Sequence, residues 1–174
     1  MNKFKVLGLF VLLMPLCLFS TSDSSAQTPG IWKKVCTDQA KPKTCRLIQD
    51  LFLQKKNQKG KLETVGRVLR LNVIYSAVDD SSKRAPFLSI QVPMGVDLRP
   101  GLVFQIDRAK EMQLQFLRCT TQGCDASVRL KKNILRRLKA GNELKVGFRQ
   151  WGATKVSVVS ASLKGFTAAL SQIK

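Results

Sequence analysis

Apolar side chains recur at every second position through most of this chain, the period of a strand with one buried face. The clearest run is Val68 to Tyr75, where Leu69, Leu71, Val73 and Tyr75 share one face and Arg70 and Asn72 take the other. Phe87 to Val92 repeats the pattern with Leu88, Ile90 and Val92, and Leu102 to Asp107 repeats it with Leu102, Phe104 and Ile106. Met112, Leu114 and Phe116 alternate with Gln113 and Gln115 and predict one half-buried strand ending at Cys119. Further strands are expected at Ile31 to Cys36 and Cys45 to Leu53, then through Ala126, Val128 and Leu130, through Leu144, Val146 and Phe148, and through Val156 and Val158. Turn-forming stretches separate them: the lysine-rich tip Lys55 to Lys61, Asp79 to Lys83, Pro93-Met94-Gly95, Arg99-Pro100-Gly101 and Trp151-Gly152.

The period then lengthens. Leu130, Ile134 and Leu138 are four apart and predict a short amphipathic helix over Lys131 to Ala140, with Gly141 at its C-terminus. Ser162 is placed to cap a last short helix through Phe166, Ala169 and Leu170. Many short strands separated by turns, with one or two short helices, predict an all-β fold, a two-sheet β-sandwich.

The first residues stand outside this pattern. Lys3 and Lys5 precede an apolar run from Val6 to Phe19, and Ser24-Ser25-Ala26 offers the small residues of a cleavage site. Residues 1–26 are therefore expected to be a signal peptide and residues 27–174 a single domain. The run is short for a membrane span, and Leu16 stands before Cys17 where lipid attachment wants a small residue. The expected destination is the periplasm or the outside of the cell.

Beyond the signal lie Cys36, Cys45, Cys119 and Cys124. Four cysteines in an exported chain read as two disulfides with three possible connectivities. The local pairing, Cys36 with Cys45 and Cys119 with Cys124, is favoured because each pair flanks turn residues, Pro42 in the first and Thr120 to Gly123 in the second. Zinc bound by all four is the competing reading, but neither pair has the Cys-x-x-Cys spacing, and export favours oxidation.

Charge changes the picture most. The chain carries 30 Lys and Arg against 11 Asp and Glu, a formal net charge of +19, and no histidine. Cleavage after Ala26 removes Lys3, Lys5 and Asp23 and lowers the surplus by only one. A field of this sign draws polyanions and anionic surfaces. It is most concentrated at Arg129, Lys131, Lys132, Arg136, Arg137 and Lys139, in a stretch with no acid between Asp125 and Glu143. These six are the candidate face for an anionic partner, either a host-cell glycan or envelope lipopolysaccharide; a solvated basic surface with no dedicated ligand accounts for the same residues. The lack of histidine removes the commonest general base and the commonest metal ligand. The acids are scattered, no glycine-rich phosphate cradle appears, and a Ser-Lys pair is the remaining nucleophilic arrangement. No catalytic, cofactor-binding or metal-binding residue is assigned, and an enzyme is not expected. Nor is nucleic acid the expected partner, since the few aromatic residues fall mostly at inward strand positions, Phe87 excepted, and leave no stacking platform.

One ordered set of features resembles a known family. It comprises Trp32 with Cys36 and Cys45; Val92-Pro93-Met94-Gly95-Val96 followed by Leu98 and Gly101; Ile106-Asp107; Cys119 followed by Gly123-Cys124; Leu138-Lys139-Ala140-Gly141; and Ser162-Leu163-Lys164-Gly165-Phe166 with Ala169-Leu170. Together these resemble the invasion-associated locus B family of alphaproteobacteria, over essentially the whole of residues 27–174. The resemblance implies a small exported β-sandwich with two local disulfides and no established enzymatic activity. For pathogenic members it implies a part in entering host cells such as erythrocytes. It supplies no catalytic residues. The alternative it leaves is a periplasmic, envelope-associated structural protein that binds lipopolysaccharide or other polyanions.

Overall fold

The alternation becomes ten strands and two helices among the described residues, which are 31–37, 44–76 and 84–173 of a computed structural model. The expected signal peptide, the Pro42 loop and the Asp79 to Lys83 loop lie outside the described residues. In chain order the strands are β1 (Lys33–Thr37), β2 (Thr44–Lys56), β3 (Leu62–Tyr75), β4 (Pro86–Val92), β5 (Leu102–Ile106), β6 (Met112–Leu114), β7 (Phe116–Thr120), β8 (Gly123–Arg129), β9 (Glu143–Arg149) and β10 (Val156–Ser162). Helix α1 (Lys132–Ala140) stands between β8 and β9, and α2 (Phe166–Ser171) follows β10.

Two antiparallel sheets result. The larger has the order β1-β2-β3-β4-β8-β7 and the smaller β10-β9-β5-β6. Register follows from the alternating pattern: Leu47, Val73 and Leu88 stand opposite one another, as do Ile90 and Ala126, and all are buried. From the smaller sheet Leu102, Phe104, Ile106, Leu144, Val146 and Phe148 meet them in one core. Ile134 and Leu138 of α1, and Phe166 and Leu170 of α2, complete it.

The stretch expected as one strand from Met112 to Cys119 is in fact two. β6 belongs to the smaller sheet and β7 to the larger, so the chain changes sheets at Gln115. Alternation continues through that residue, so periodicity could not reveal the step; a register shift between Phe116 and Arg118 marks it. Gly101 makes the corner possible, because a Cβ there would strike the carbonyl oxygen of Leu114.

Gly141 ends α1 as expected, whereas the cap expected for α2 is not the one observed. Gly141 is not in the left-handed conformation; its φ of −82° and ψ of 166° are extended. It is glycine for want of room: a Cβ would lie 2.9 Å from Arg137 O, Asp107 Oδ2 and Ile106 Cγ2. Ser162 does not cap α2, whose cap position is Gly165. Its hydroxyl instead accepts from the Lys164 N–H at 3.2 Å. Its carbonyl oxygen takes two donors, Trp32 Nε1 at 3.2 Å and Gln49 Nε2 at 3.0 Å. Trp32 also packs edge-on against Phe166, ring centroids 5.1 Å apart. Residues from the start, middle and end of the chain thus close one end of the sandwich.

The cysteines pair locally. Cys36–Cys45 joins directly opposed residues of β1 and β2, and Cys119–Cys124 joins opposed residues of β7 and β8, each with Cα atoms 4.0 Å apart. In the strand order these are the two outermost pairs of the larger sheet, so each edge strand is covalently fastened to its neighbour.

Candidate anionic-partner interface

All six basic residues singled out by the sequence are exposed. Arg129 is the last residue of β8, on the outer face of the larger sheet, and Lys131 precedes α1. Within α1, Ile134 and Leu138 face the core, so Lys132, Arg136 and Lys139, spaced by four and three, share the opposite, outward stripe; Arg137 lies on its flank. The first turn of α1 holds no acid and its start has no side-chain cap. Arg137 and Lys139 sit in the last turn, where cations complement the helix dipole. Lys132 and Arg136 repel at i, i+4, which costs a few tenths of a kcal/mol. Among the described residues none of the six has an acidic partner.

The outer face of the larger sheet carries a second set of charges, in rows across the strands. One row runs Asp50, Arg70, Gln91, Asp125, Arg118. It is knit together: Arg70 grips Asp50 through Nε at 2.7 Å and Nη2 at 2.9 Å, and Gln91 Nε2 donates to Asp125 at 3.2 Å. Arg118 stands 3.7 Å from Asp125, and Arg67 donates to Gln91 at 2.6 Å. The hydrogen bonds to Asp50 raise the pKa of Arg70, whereas partial burial lowers that of Arg67. The next row, Ile48, Asn72, Ser89, Ser127, is uncharged over β2, β3, β4 and β8 and meets Lys33 on β1; the one beyond is Val35, Arg46, Ile74, Phe87, Arg129. The charges at alternate positions of β2 and β3 were visible in the sequence, but their lateral alignment depends on register between distant strands.

A third constellation was not foreseen. Asp97 is 2 % exposed and ionised between two arginines. Arg99 Nε and Nη2 reach it at 2.9 Å each and Arg149 Nη2 at 2.6 Å. These bonds, Arg99's first and Arg149's second, hold its carboxyl far below the usual carboxylate range. Arg99 lies over the exposed Trp151 ring, 5.1 Å from its centroid. The group ties the β4–β5 connection to the β9–β10 turn. Its ends lie too far apart in sequence for spacing to reveal.

The described residues hold no helix long and apolar enough to cross a membrane, and no three His, Cys, Asp or Glu side chains grouped as metal ligands.

Comparison with known proteins identifies a family and a fold. The family model described as "Invasion associated locus B (IalB) protein" matches residues 32–174. Invasion protein B homologues of Brucella abortus strain 2308 and of Brucella abortus biovar 1 strain 9-941 are each 28 % identical to this chain over 185 residues, covering all of it and 98 % of their own length. The crystal structure of invasion associated protein B from Bartonella henselae is similar with a TM-score of 0.61 at 23 % identity, over 84 % of this chain and 93 % of that one. At that identity the likeness speaks for the fold.

Proposed function

The chain belongs to the invasion associated locus B family, and from that premise we propose that it is a non-enzymatic exported protein that helps a bacterium associate with or enter host cells, erythrocytes among them, through its basic surface. The observation that carries this reading is the outward stripe of α1. Lys132, Arg136 and Lys139, with Arg129, Lys131 and Arg137 beside them, stand exposed with no acid among the described residues to neutralise them, in a helix that gains nothing from an uncapped, acid-free first turn. The cations at the start of α1 are held against the local helix preference, whereas Arg137 and Lys139 suit it, and together they serve attraction to an outside anion.

Binding of the folded protein to sialylated or sulfated cell surfaces as a function of salt tests the reading. Affinity is expected to fall roughly tenfold or more from low to physiological salt, and further in an Arg136→Glu, Arg137→Glu variant. Affinity indifferent to both salt and charge reversal removes the proposal. Cell fractionation supplies the second arm: a protein confined to the periplasm docks on no host cell, and its polyanion then belongs to the envelope.

A further inference from the structure

The uncharged residues Ile48, Asn72, Ser89 and Ser127, bounded on β1 by the exposed Lys33, are the floor of a trough across the outer face of the larger sheet. Side chains two residues apart along a strand stand about 7 Å apart, and neighbouring strands about 4.8 Å, so the floor is roughly 14 Å long. One wall is the knit row from Asp50 to Arg118, whose charges are largely spent on each other. The other holds Arg46, with Val35 of β1 beyond it, and Arg129 three strands away, both arginines exposed and, among the described residues, without an acid. Between them Ile74 and the half-buried Phe87 form an apolar step. Against the floor lies a hollow of about 180 Å³, lined by Arg46, Asn72, Ser89 and Arg118 among others. That is below the ~300 Å³ of an enclosing ligand pocket, so the hollow seats one unit of a chain that lies along the trough.

From this geometry we infer that the trough is a binding site for an acidic oligosaccharide, a short glycan bearing carboxylate or sulfate groups. Two features select that class. Asn72 Oδ1 is shut from solvent with no hydrogen-bond partner; an orphaned buried acceptor is costly, and turning the amide outward lets a donor in the trough reach it. Carboxylate, sulfate and phosphate offer no donor; a sugar hydroxyl offers donor and acceptor together, matching an amide whose terminal torsion is soft and a neighbouring serine. Arg46 and Arg129 then take acidic groups some 14 Å apart, on sugars that are not adjacent, through charge-assisted bonds. The flat polar floor gives an acyl chain nothing to enter, which sets lipid apart. The inference rests on the proposed function and gives it a substrate class, at a site only Arg129 shares with the basic face.

Calorimetric titration of the disulfide-intact protein tests it, with a heparin-derived tetrasaccharide, an α2,8-linked sialic acid trimer and lactose as probes. The tetrasaccharide or the sialic acid trimer is expected to bind and lactose not to; which of the two acidic probes binds separates a sulfated from a sialylated source. Arg46→Ala, at an exposed site, and Ser89→Trp, which fills the hollow, should each weaken that binding about tenfold, while Arg136→Glu with Arg137→Glu should change it less than threefold. Failure of every acidic oligosaccharide to bind, binding of lactose equal to theirs, or affinity unmoved in a folded Arg46→Ala variant overturns the trough. So does a protein that binds lipopolysaccharide alone. If tetrasaccharide affinity follows the α1 reversal and not Arg46, the trough fails while the basic face stands. If it follows Arg46 while cell binding ignores salt, the broader proposal fails and the trough stands.

Discussion

Asp97 shows how much one buried side chain organises. With a folded pKa below that of an unfolded aspartate, near 3.9, it adds stability that is fully present above that value and drains away as the pH falls through and below it. Asp97→Asn keeps the shape and removes the titration. The variant should be less stable than the parent at pH 7, and the gap should narrow between about pH 4 and pH 2; chemical denaturation at several pH values measures it. Trp32 is the second such residue. Trp32→Ala should cost about 3 kcal/mol or more through the cavity left beside Phe166. Trp32→Phe should cost much less, because the Ser162 carbonyl keeps its second donor, Gln49; thermal unfolding of the pair separates packing from hydrogen bonding.

Among elements, α1 sets stability and binding against each other. An acid in its first turn would favour the helix dipole and relieve the repulsion between Lys132 and Arg136. Lys132→Glu should therefore stabilise the fold by about 0.5 kcal/mol while weakening attachment to polyanionic surfaces. Unfolding and binding assays on the same preparation check both signs, and a loss of both together would mean the stripe is structural. The elements themselves were largely legible. Leu69, Leu71 and Val73, and Leu88, Ile90 and Val92, announce their strands because each inward residue meets the same core. The division of Met112 to Cys119 was not legible, since both halves alternate in phase although they face the core from opposite sheets. The real tasks of Gly141 and Ser162 were hidden too: each is fixed by a neighbour distant in sequence, Asp107 for one and Trp32 for the other.

Over the whole molecule, sign of charge was legible and its arrangement was not. The run from Arg129 to Lys139 is local in sequence, so a helix and a strand end were enough to place it on the surface. The trough draws on four strands whose alignment rests on long-range pairing, and Arg46 within it lies far in sequence from the acid-free basic run that draws notice. The Asp97 group is long in range too, with Arg149 closing it from fifty-two residues away.

The position of the two cystines has a consequence for the life of the chain. They leave the inner strands of the larger sheet to hold by packing and fasten only its margins. A copy with free thiols keeps its middle and presents two frayed borders, the kind of raw edge that recruits other chains. Under the proposed export, maturation finishes where oxidants are at hand: a molecule held back in a reducing interior would remain unhemmed, and leaving it would also be the last step of folding.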